Sequence, residues 1–355
     1  MMPSIIKLAI FFAYFLIICG SCGPDESDFE MENKNLSTEG FGAFLQAEMD
    51  DQNIPAMSVL IFKEDNILYE NYLGQAQIEQ QIDLANNQPF LLASVSKVVT
   101  ATALMQLQET GNFDLDDPIN DYLDFEVNPS GYATNITFRM LLTHTSGIND
   151  GNSVSDDNYF NGEDSPIALD FFIKNFLVLN GEFYDASENF YDFNPGSEQE
   201  YSNIGNALIG VLVEQISGMD FVDYCQQNIF NPLGMTNTNW RLEDISGTIV
   251  QPYDYLNGQF EEIEHYTLTD YPNGGLRSTA RDMFTFLSAF AQNGMANNHQ
   301  LLSPGTVEVM ITPQIPNISY DMGLHLFQVD QANNLWGHDG GRSGRINRYG
   351  LQSDE

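Results

Sequence analysis

Residues 91–119 read LLASVSKVVTATALMQLQETGNFDLDDPI, and this stretch decides the fold. Its apolar residues predict a helix over residues 94–110 that ends at Gly111. The helix is apolar on nearly every side, which is typical of a helix buried between two layers of structure. Ser94 and Lys97 stand three residues apart in its first turn and therefore share one face. A hydroxyl and an amine are thus brought together at the start of a buried helix.

The pair Ser94 and Lys97 has both a catalytic and a structural interpretation. Burial disfavours the charged form of an amine, so Lys97 in a dry cleft could accept the Ser94 proton. The N-terminus of the helix would stabilise the negative charge that develops. The same spacing also occurs where a serine caps a helix and a lysine reaches solvent. The pair alone does not decide between these interpretations.

A second motif lies about a hundred residues further on, in the segment FNPGSEQEYSNIGNALIGVLVEQISG over residues 193–218. Tyr201 could relay protons, and the Asn203 amide could orient Lys97 or the substrate. The structural alternative is a packed aromatic ring at Tyr201 and a helix cap at Asn203. Again the residues alone leave both interpretations open.

A third motif lies near the end of the chain, in the segment LWGHDGGRSG over residues 335–344. It predicts a strand around Trp336 that ends at His338 and is followed by glycines. Glycines let a substrate backbone lie against a strand edge. Taken alone, His338 could equally be a histidine in a surface turn.

The order of the three motifs, Ser-x-x-Lys, Tyr-x-Asn and His-x-Gly, resembles that of the class C β-lactamase, DD-peptidase and esterase superfamily. The similarity continues through IPAMSVLIFK, LLTHTSGI, PGSEQEYSN, IFNPLGMTNT and GGLRSTARDM. It covers the chain from Phe41 to the C-terminus. The resemblance implies a serine hydrolase of the penicillin-recognising type.

The resemblance also implies a role for each motif residue. Ser94 is the acylated nucleophile, and Lys97 and Tyr201 share the acid and base work. Asn203 positions these groups, and His338 stands where β-lactamases carry a lysine. No cofactor is implied, because serine acylation needs neither a metal nor an organic group.

The substrate-binding residues follow from the same resemblance. The implied oxyanion hole consists of the backbone N–H groups of Ser94 and Gly341. Gly340 and Asp339 of the third motif, together with Gly275 in the segment NGGLRSTA, are the implied substrate-binding positions. The segments LLTHTSGI and NGGLRSTA are expected to line the cleft.

The histidines do not predict a metal site. His144 is expected to be structural, since no second imidazole or carboxylate accompanies it at a metal-ligand spacing. His265, His299 and His325 form no His-Glu-x-x-His motif, and the chain has no Gly-x-Ser-x-Gly elbow or phosphate-binding glycine loop. These absences argue against a metalloenzyme, an α/β-hydrolase and a nucleotide-binding protein.

The third motif bears on the substrate. An aspartate at position 339 should disfavour a substrate carboxylate unless Arg342 or Arg345 offsets it. We therefore expect an ester or amide to be cleaved. The alternatives are a β-lactamase, a D-Ala-D-Ala peptidase, or a non-catalytic module that keeps the fold.

The expected architecture is α+β of the β-lactamase/transpeptidase-like type. A helix with Phe41, Phe44 and Met49 on one face is followed by two strands, and strand signals return only at 323–329, around Trp336 and at 345–352. We expect one antiparallel sheet built from both chain ends and flanked by helices, with a mostly helical lobe inserted over about 94–311. The strand and helix that usually close this fold are missing from the sequence. Such a chain is expected to be a fragment or to need a partner.

The N-terminus has the pattern of a secretory signal. Lys7 precedes an apolar run that is too short to span a bilayer, and Gly20 and Ser21 stand before Cys22. Residues 1–21 are predicted to be a signal peptide, and Cys22 resembles a lipidated first residue of a mature bacterial protein. Residues 22–36 form a polar tether, and 37–355 the hydrolase domain. The predicted location is the periplasm or the cell surface.

The charge restricts the partners. The net charge of −38 excludes nucleic acid as a plausible partner. The expected partners are small-molecule esters, amides or cell-wall peptides, with membrane contact only through the lipid at Cys22. The sequence leaves the oligomeric state open.

Overall fold

The computed structural model describes residues 9–12, 38–129, 134–151, 158–332 and 334–341 of the chain. Cys22, Arg342, Arg345 and the predicted strand at 345–352 lie outside these ranges. The described part combines helices with small antiparallel sheets, and the predicted α+β class is confirmed.

The predicted opening of the domain, a helix followed by two strands, is present. Helix α1 (Thr38–Gln52) buries Leu45 and Met49 against strands β2 (Ala56–Lys63) and β3 (Asn66–Gln77). The two strands pair antiparallel from Ala56↔Gly74 to Lys63↔Asn66. Their turn is Glu64 and Asp65, and Glu64 takes the left-handed conformation at φ 59°.

The main sheet has four strands in the order β1-β2-β3-β4. Strand β4 (Ile82–Asp83) pairs with β3, and β1 (Ala9–Phe12) lies on the other side, antiparallel to residues 59–62 of β2. The sequence predicted one sheet with strands from both chain ends. In the described residues, the edge of β2 that faces away from β3 is occupied instead by β1, which falls inside the predicted signal peptide.

The lobe expected over about 94–311 is mostly helical, and its first helix lies within two residues of the predicted bounds 94–110. The helices of this region are α2 (Ser96–Glu109), α3 (Phe138–Leu142), α4 (Leu169–Leu177), α5 (Asn203–Ser217), α6 (Phe221–Cys225), α7 (Asn231–Leu233), α8 (Ala280–Ala291) and α9 (Pro304–Met310). Short 3₁₀ turns precede α2 at Ala93–Val95 and form at Tyr271–Asn273. Helix α5 ends at Gly218, which has φ 71° and donates its N–H to the Glu214 carbonyl at 2.8 Å. None of the helices within the described ranges is both long and apolar enough to cross a bilayer.

Several short strands, one just before this lobe and the others within it, escape the sequence-based prediction. They are β5 (Phe90–Leu91), β6 (Tyr159–Asn161), β7 (Tyr253–Leu256), β8 (Gln259–Glu262), β9 (Tyr266–Leu268), β10 (Arg277–Ser278), β11 (Met295–Ala296) and β12 (His299–Gln300). The β7–β8 hairpin had a local signal, because Asn257 and Gly258 form its turn at φ 53° and 82°. Near the C-terminal end, β13 (Phe327–Asp330) and β14 (Leu335–Gly337) form a separate hairpin.

Helices α2 and α5 form the centre of the core. From Val98 to Met105, every residue of α2 is buried, as the all-round apolar sequence predicts. Residues 204–213 of α5 are buried in the same way. The two helices that carry the first and second motifs therefore pack within one hydrophobic core, and that packing fixes the spacing of the motifs.

Gly210 of α5 allows a close approach that places part of the site. A methyl group on this residue would lie 2.7 Å from Cγ of Pro272. Pro272 belongs to the 3₁₀ turn that also carries Asn273. The missing side chain at Gly210 thus lets this turn reach the start of α2.

We predict that G210A displaces the Tyr271–Asn273 turn. Overpacking of this kind costs about 1–3 kcal/mol of unfolding free energy, and activity should fall with it. The matched control is G42A in α1, where the nearest atoms to an added methyl lie at 3.4 Å. In that variant, the better helix propensity of alanine should leave stability equal or raised by up to about 1 kcal/mol. Urea unfolding of both variants checks the prediction, and equal stability would contradict it.

Candidate active site

Ser94 lies in a strained turn at the entrance to α2. The residue before it, Ala93, is buried and takes a left-handed conformation at φ 47°. For a residue with a side chain, such a conformation costs on the order of 1 kcal/mol and persists only where the surroundings hold it. The Leu92 N–H, which donates to the Leu276 carbonyl at 2.8 Å, is part of that restraint.

Lys97 is fully buried in the first turn of α2. Its Nζ contacts three oxygens: Ser94 Oγ at 3.2 Å, Asn203 Oδ1 at 2.8 Å and the Asn273 carbonyl at 2.7 Å. The oxygens come from the turn before α2, the first residue of α5 and the 3₁₀ turn at Tyr271–Asn273. The structure therefore brings the first and second motifs into one hydrogen-bonded cluster.

Tyr201 covers this cluster from the solvent side. Its side chain is partly exposed, and Lys97 Nζ lies 4.8 Å from the centre of its ring. The ring also packs on His144 at 4.4 Å and stands 6.5 Å from His338. Tyr201 thus lies between the buried lysine and the third motif.

The third motif approaches the backbone of Ser94. His338 follows β14 and is buried, and its Nδ1 lies 2.6 Å from the Asp339 carbonyl oxygen. Because that oxygen only accepts, the proton belongs on Nδ1. A methyl group on Gly340 would lie 2.3 Å from the Leu92 carbonyl oxygen and 3.3 Å from the Ser94 nitrogen. Gly340 therefore touches the turn that carries Ser94.

Two of the expected substrate-binding positions differ from the expectation. The Asp339 side chain is fully exposed, so solvent screens its charge from the cleft. Gly275 is buried, donates its N–H to the Tyr271 carbonyl at 2.7 Å and accepts at its own carbonyl from Arg277. Gly341 is the last residue described.

Two contributors to the cluster were absent from the expected catalytic set. The Asn273 carbonyl is a backbone atom, which a list of side chains does not reveal, although its loop was expected to line the cleft. Asp150 directly follows the segment LLTHTSGIN and contacts the Asn203 side chain at 2.7 Å. The sequence feature that could have identified Asp150 is its position, two residues beyond the segment LLTHTSGI that was expected to line the cleft.

Three buried imidazoles surround the site. His144 accepts the Ser202 N–H at 3.2 Å, as a structural residue would, and its ring packs edge-on against His325 at 4.6 Å. Burial, reinforced by the nearby Lys97 charge, lowers the pKa of His144 and His325 well below 6.5. Burial also lowers the pKa of His338 to about 4. All three are therefore neutral at physiological pH.

The histidines do not combine into a metal site in the part of the chain that the structure describes. No group of three His, Cys, Asp or Glu side chains there is arranged to hold an ion.

The fold and this site define a serine hydrolase of the β-lactamase type. The family described as Beta-lactamase matches residues 41–350, and the chain belongs to that family. Penicillin-binding protein 4* of Bacillus subtilis is 28% identical over 306 residues, which are 81% of this chain and 63% of that protein. The chain thus spans less than two thirds of this relative.

Solved structures show the same fold. The penicillin-binding protein of Bacillus halodurans superposes with a TM-score of 0.64 at 25% identity, over 83% of this chain and 87% of that chain. EstCE1, a hydrolase with promiscuous acyltransferase activity, gives 0.62 at 20% identity, over 80% of each chain. The expected superfamily is confirmed.

We predict that G340A slows acylation at the expected nucleophile Ser94, because the added methyl pushes the third motif away from the Ser94 turn. A misplacement of this size costs roughly 10-fold to 100-fold in rate. The control is G337A, three residues earlier at the end of β14, where an added methyl meets no atom within 4 Å. Stopped-flow acylation by an activated ester checks both variants. Equal rates for the two would contradict the geometry.

The buried imidazoles predict acid sensitivity. Since the pKa of His325 is lowered on folding, the unfolded chain binds a proton below about pH 6.5 that the folded chain excludes. The contribution of the neutral His325 to the free energy of unfolding is complete above pH 6.5 and is lost as the pH falls. Glu214 acts oppositely, because burial raises its pKa to about 7. The pH dependence of stability must therefore be compared directly between the wild type and a variant that lacks His325.

The comparison uses H325N, since asparagine tolerates the left-handed φ of 50° at this position. Between pH 6.5 and 5, the slope of unfolding free energy against pH should be smaller in H325N by up to about 1.4 kcal/mol per pH unit. Urea unfolding at several pH values measures it. Identical slopes would show that His325 is protonated in the folded protein.

Proposed function

We propose that the chain is an exported serine hydrolase that cleaves an ester or amide bond through an acyl-enzyme on Ser94. The observation that carries the proposal is the buried Lys97 amine, held by two acceptors and 3.2 Å from Ser94 Oγ. A fully buried lysine without such a task would be costly to retain.

The partners of Lys97 suit a general base. The Asn203 Oδ1 and the Asn273 carbonyl can only accept hydrogen bonds. A neutral amine has two N–H bonds and one lone pair. If the two N–H groups go to these acceptors, the lone pair is left for the Ser94 hydroxyl. The arrangement thus directs the basic electron pair at the nucleophile.

The reaction follows from this arrangement. Ser94 Oγ bonds to the substrate carbonyl carbon as its proton moves to Lys97 Nζ. The bond from that carbon to the leaving oxygen or nitrogen then breaks, and the leaving group takes the proton from Lys97, directly or through the Tyr201 hydroxyl. Water next attacks the acyl ester, gives up a proton to the same groups, and releases the acid as Ser94 regains its hydrogen.

The oxyanion would be held by the backbone N–H groups of Ser94 and Gly341. Ser94 lies at the start of a helix, where N–H groups point outward and favour negative charge. The contact of Gly340 with the Ser94 turn supports the pairing, because it brings the next residue toward the same place.

The substrate class is an ester or amide, and a β-lactam or a peptide ending in D-Ala is the second candidate. The exposed side chain of Asp339 weakens the expected repulsion of a substrate carboxylate. The similarity to penicillin-binding protein 4* also favours the second candidate. The buried His338, neutral where β-lactamases carry a lysine, favours substrates without a carboxylate.

Export and anchoring belong to the same proposal. The signal pattern of residues 1–21 and the residue Cys22 support delivery to the periplasm or cell surface with a lipid at Cys22. The non-catalytic alternative is disfavoured by the contact between Lys97 and Ser94.

We predict that a fluorophosphonate or fluorescent penicillin labels the wild-type protein and that S94A abolishes the label. Turnover should fall by roughly 10³-fold or more, because the acyl-enzyme cannot form. The control is S197A, whose exposed hydroxyl donates to the Asn194 carbonyl away from the cluster. Intact mass locates the adduct.

The substrates are then compared as a short-chain nitrophenyl ester, nitrocefin and a D-Ala-D-Ala peptide. We expect the ester to be hydrolysed fastest. Strong nitrocefin turnover with negligible esterase activity would move the assignment to the second candidate. Absence of any adduct would leave the non-catalytic module.

A further inference from the structure

Asp150 connects the segment after α3 to the first residue of α5. Its Oδ1 accepts the backbone N–H of Asn203 at 2.6 Å and that of Ile204 at 3.0 Å. Its Oδ2 accepts from Asn203 Nδ2 at 2.7 Å. The Ser202 hydroxyl also donates to Oδ1 at 3.4 Å. One carboxylate thus accepts hydrogen bonds from both the main chain and the side chain of Asn203.

The position of Asp150 is fixed from outside the site. The N–H of its neighbour Asn149 donates to the Asn189 carbonyl at 2.9 Å, and Ile148 pairs with Phe190 through an antiparallel bridge. Gly151 follows at φ 50°, so close to Asn189 that a methyl group would lie 2.9 Å from its Oδ1. The carboxylate is therefore presented by an anchored segment.

The amide of Asn203 has two ends that its neighbours must distinguish. Its oxygen only accepts and its nitrogen only donates. A carboxylate accepts only, so the nitrogen end must face Asp150. The oxygen end is then left to face Lys97 Nζ, at 2.8 Å. Reversal of the amide would set two acceptors against each other at the Asp150 side.

Reversal would also disable the base. The Asn203 nitrogen would then donate to the lone pair of Lys97, and the amine would turn an N–H toward Ser94. A lysine in that arrangement cannot accept the serine proton.

We propose that Asp150 is a positioning residue that fixes the orientation of the Asn203 amide, so that Lys97 keeps its lone pair for Ser94. Asp150 acts through Asn203 and touches neither the substrate nor the reacting atoms. The inference rests on the proposed function of Ser94 and Lys97, but its geometry can be tested without turnover.

The competing explanation is that Asp150 only caps α5. The Asn203 and Ile204 N–H groups belong to a first helical turn and have no acceptor within the helix, so any acceptor in the place of Asp150 would satisfy them. D150N separates the two roles. Its amide keeps one oxygen for these N–H groups but replaces the other acceptor with a donor, which favours reversal of Asn203.

The charges around Lys97 set the expected direction. His144, His325 and His338 are neutral, and the Tyr201 ring lies over the amine. The Asp150 carboxylate makes Lys97 a stronger base through the intervening amide, because it stabilises the ammonium that forms when the amine takes the Ser94 proton. Its removal, and the donor that reversal brings, both favour the neutral amine.

The test is the titration of Lys97 by carbon-13 NMR of protein labelled at lysine. The chain has lysines only at positions 7, 34, 63, 97 and 174, and K97A assigns the resonance. D150N should lower the titration midpoint of Lys97 by about 1 pH unit or more. The matched control is D164N, because Asp164 likewise caps two backbone N–H groups, those of Leu242 and Glu243.

Acylation of Ser94 by an activated ester is measured on the same proteins. D150N should be acylated about 10-fold or more slowly than the wild type. In the plot of its acylation rate against pH, the acidic limb should move to lower pH. D164N should keep the wild-type rate and pH dependence. An unmoved midpoint and limb, with stability alone reduced, would make Asp150 a cap and overturn the inference. If wild type is never acylated, the proposed function fails, and the NMR titration still decides the role of Asp150.

Discussion

The burial of the Lys97 amine is the constraint on which the rest of the site depends. An amine without solvent must find its partners in the protein, because an unpaired polar group in the interior costs several kcal/mol. Its partners come from three separate parts of the chain, and each must arrive within about 3 Å. The packing of α2 on α5 and the close approach at Gly210 meet this requirement. The core and the chemistry are thus fixed by the same contacts.

The neutrality of the surrounding histidines complements that constraint. A protonated imidazole beside Lys97 would repel its charge, and burial prevents this by lowering the pKa of His144, His325 and His338. Neutral imidazoles therefore leave Lys97 and Tyr201 as the proposed groups for proton exchange at the site. The cost is sensitivity to acid, since the unfolded chain gains protons that the folded chain excludes.

The sequence predicted the elements whose signals are local. Helix α5 ends before the left-handed Gly218, a local signal, whereas its N-cap is Ser202 and not Asn203, the cap that the structural alternative named. The long apolar run of α2 likewise required burial. The short strands of the helical lobe were missed because they owe their pairing to tertiary contacts, although Asn257 and Gly258 did mark one hairpin.

The distinction between local sequence signals and tertiary contacts applies to the site as well. Ser94, Lys97 and Asn203 were expected together, and the structure places them within hydrogen-bond distance. The Asn273 carbonyl could not be predicted, because any residue type supplies that atom and only the path of the chain decides where it lies. Asp150 was missed because its role depends on a contact across 53 positions of sequence.

Helix α5 has a further consequence for how the enzyme would tolerate motion. It supplies one acceptor to Lys97 directly through Asn203, and through Gly210 it holds the turn that supplies the second, Asn273. Both of these contacts of the amine therefore depend on a single helix. When that helix moves, both acceptors move with it. The distance between them would therefore change less than if each acceptor were on an independent loop. Substitutions in the cleft walls that leave α5 in place would then leave both of these acceptors of Lys97 in place.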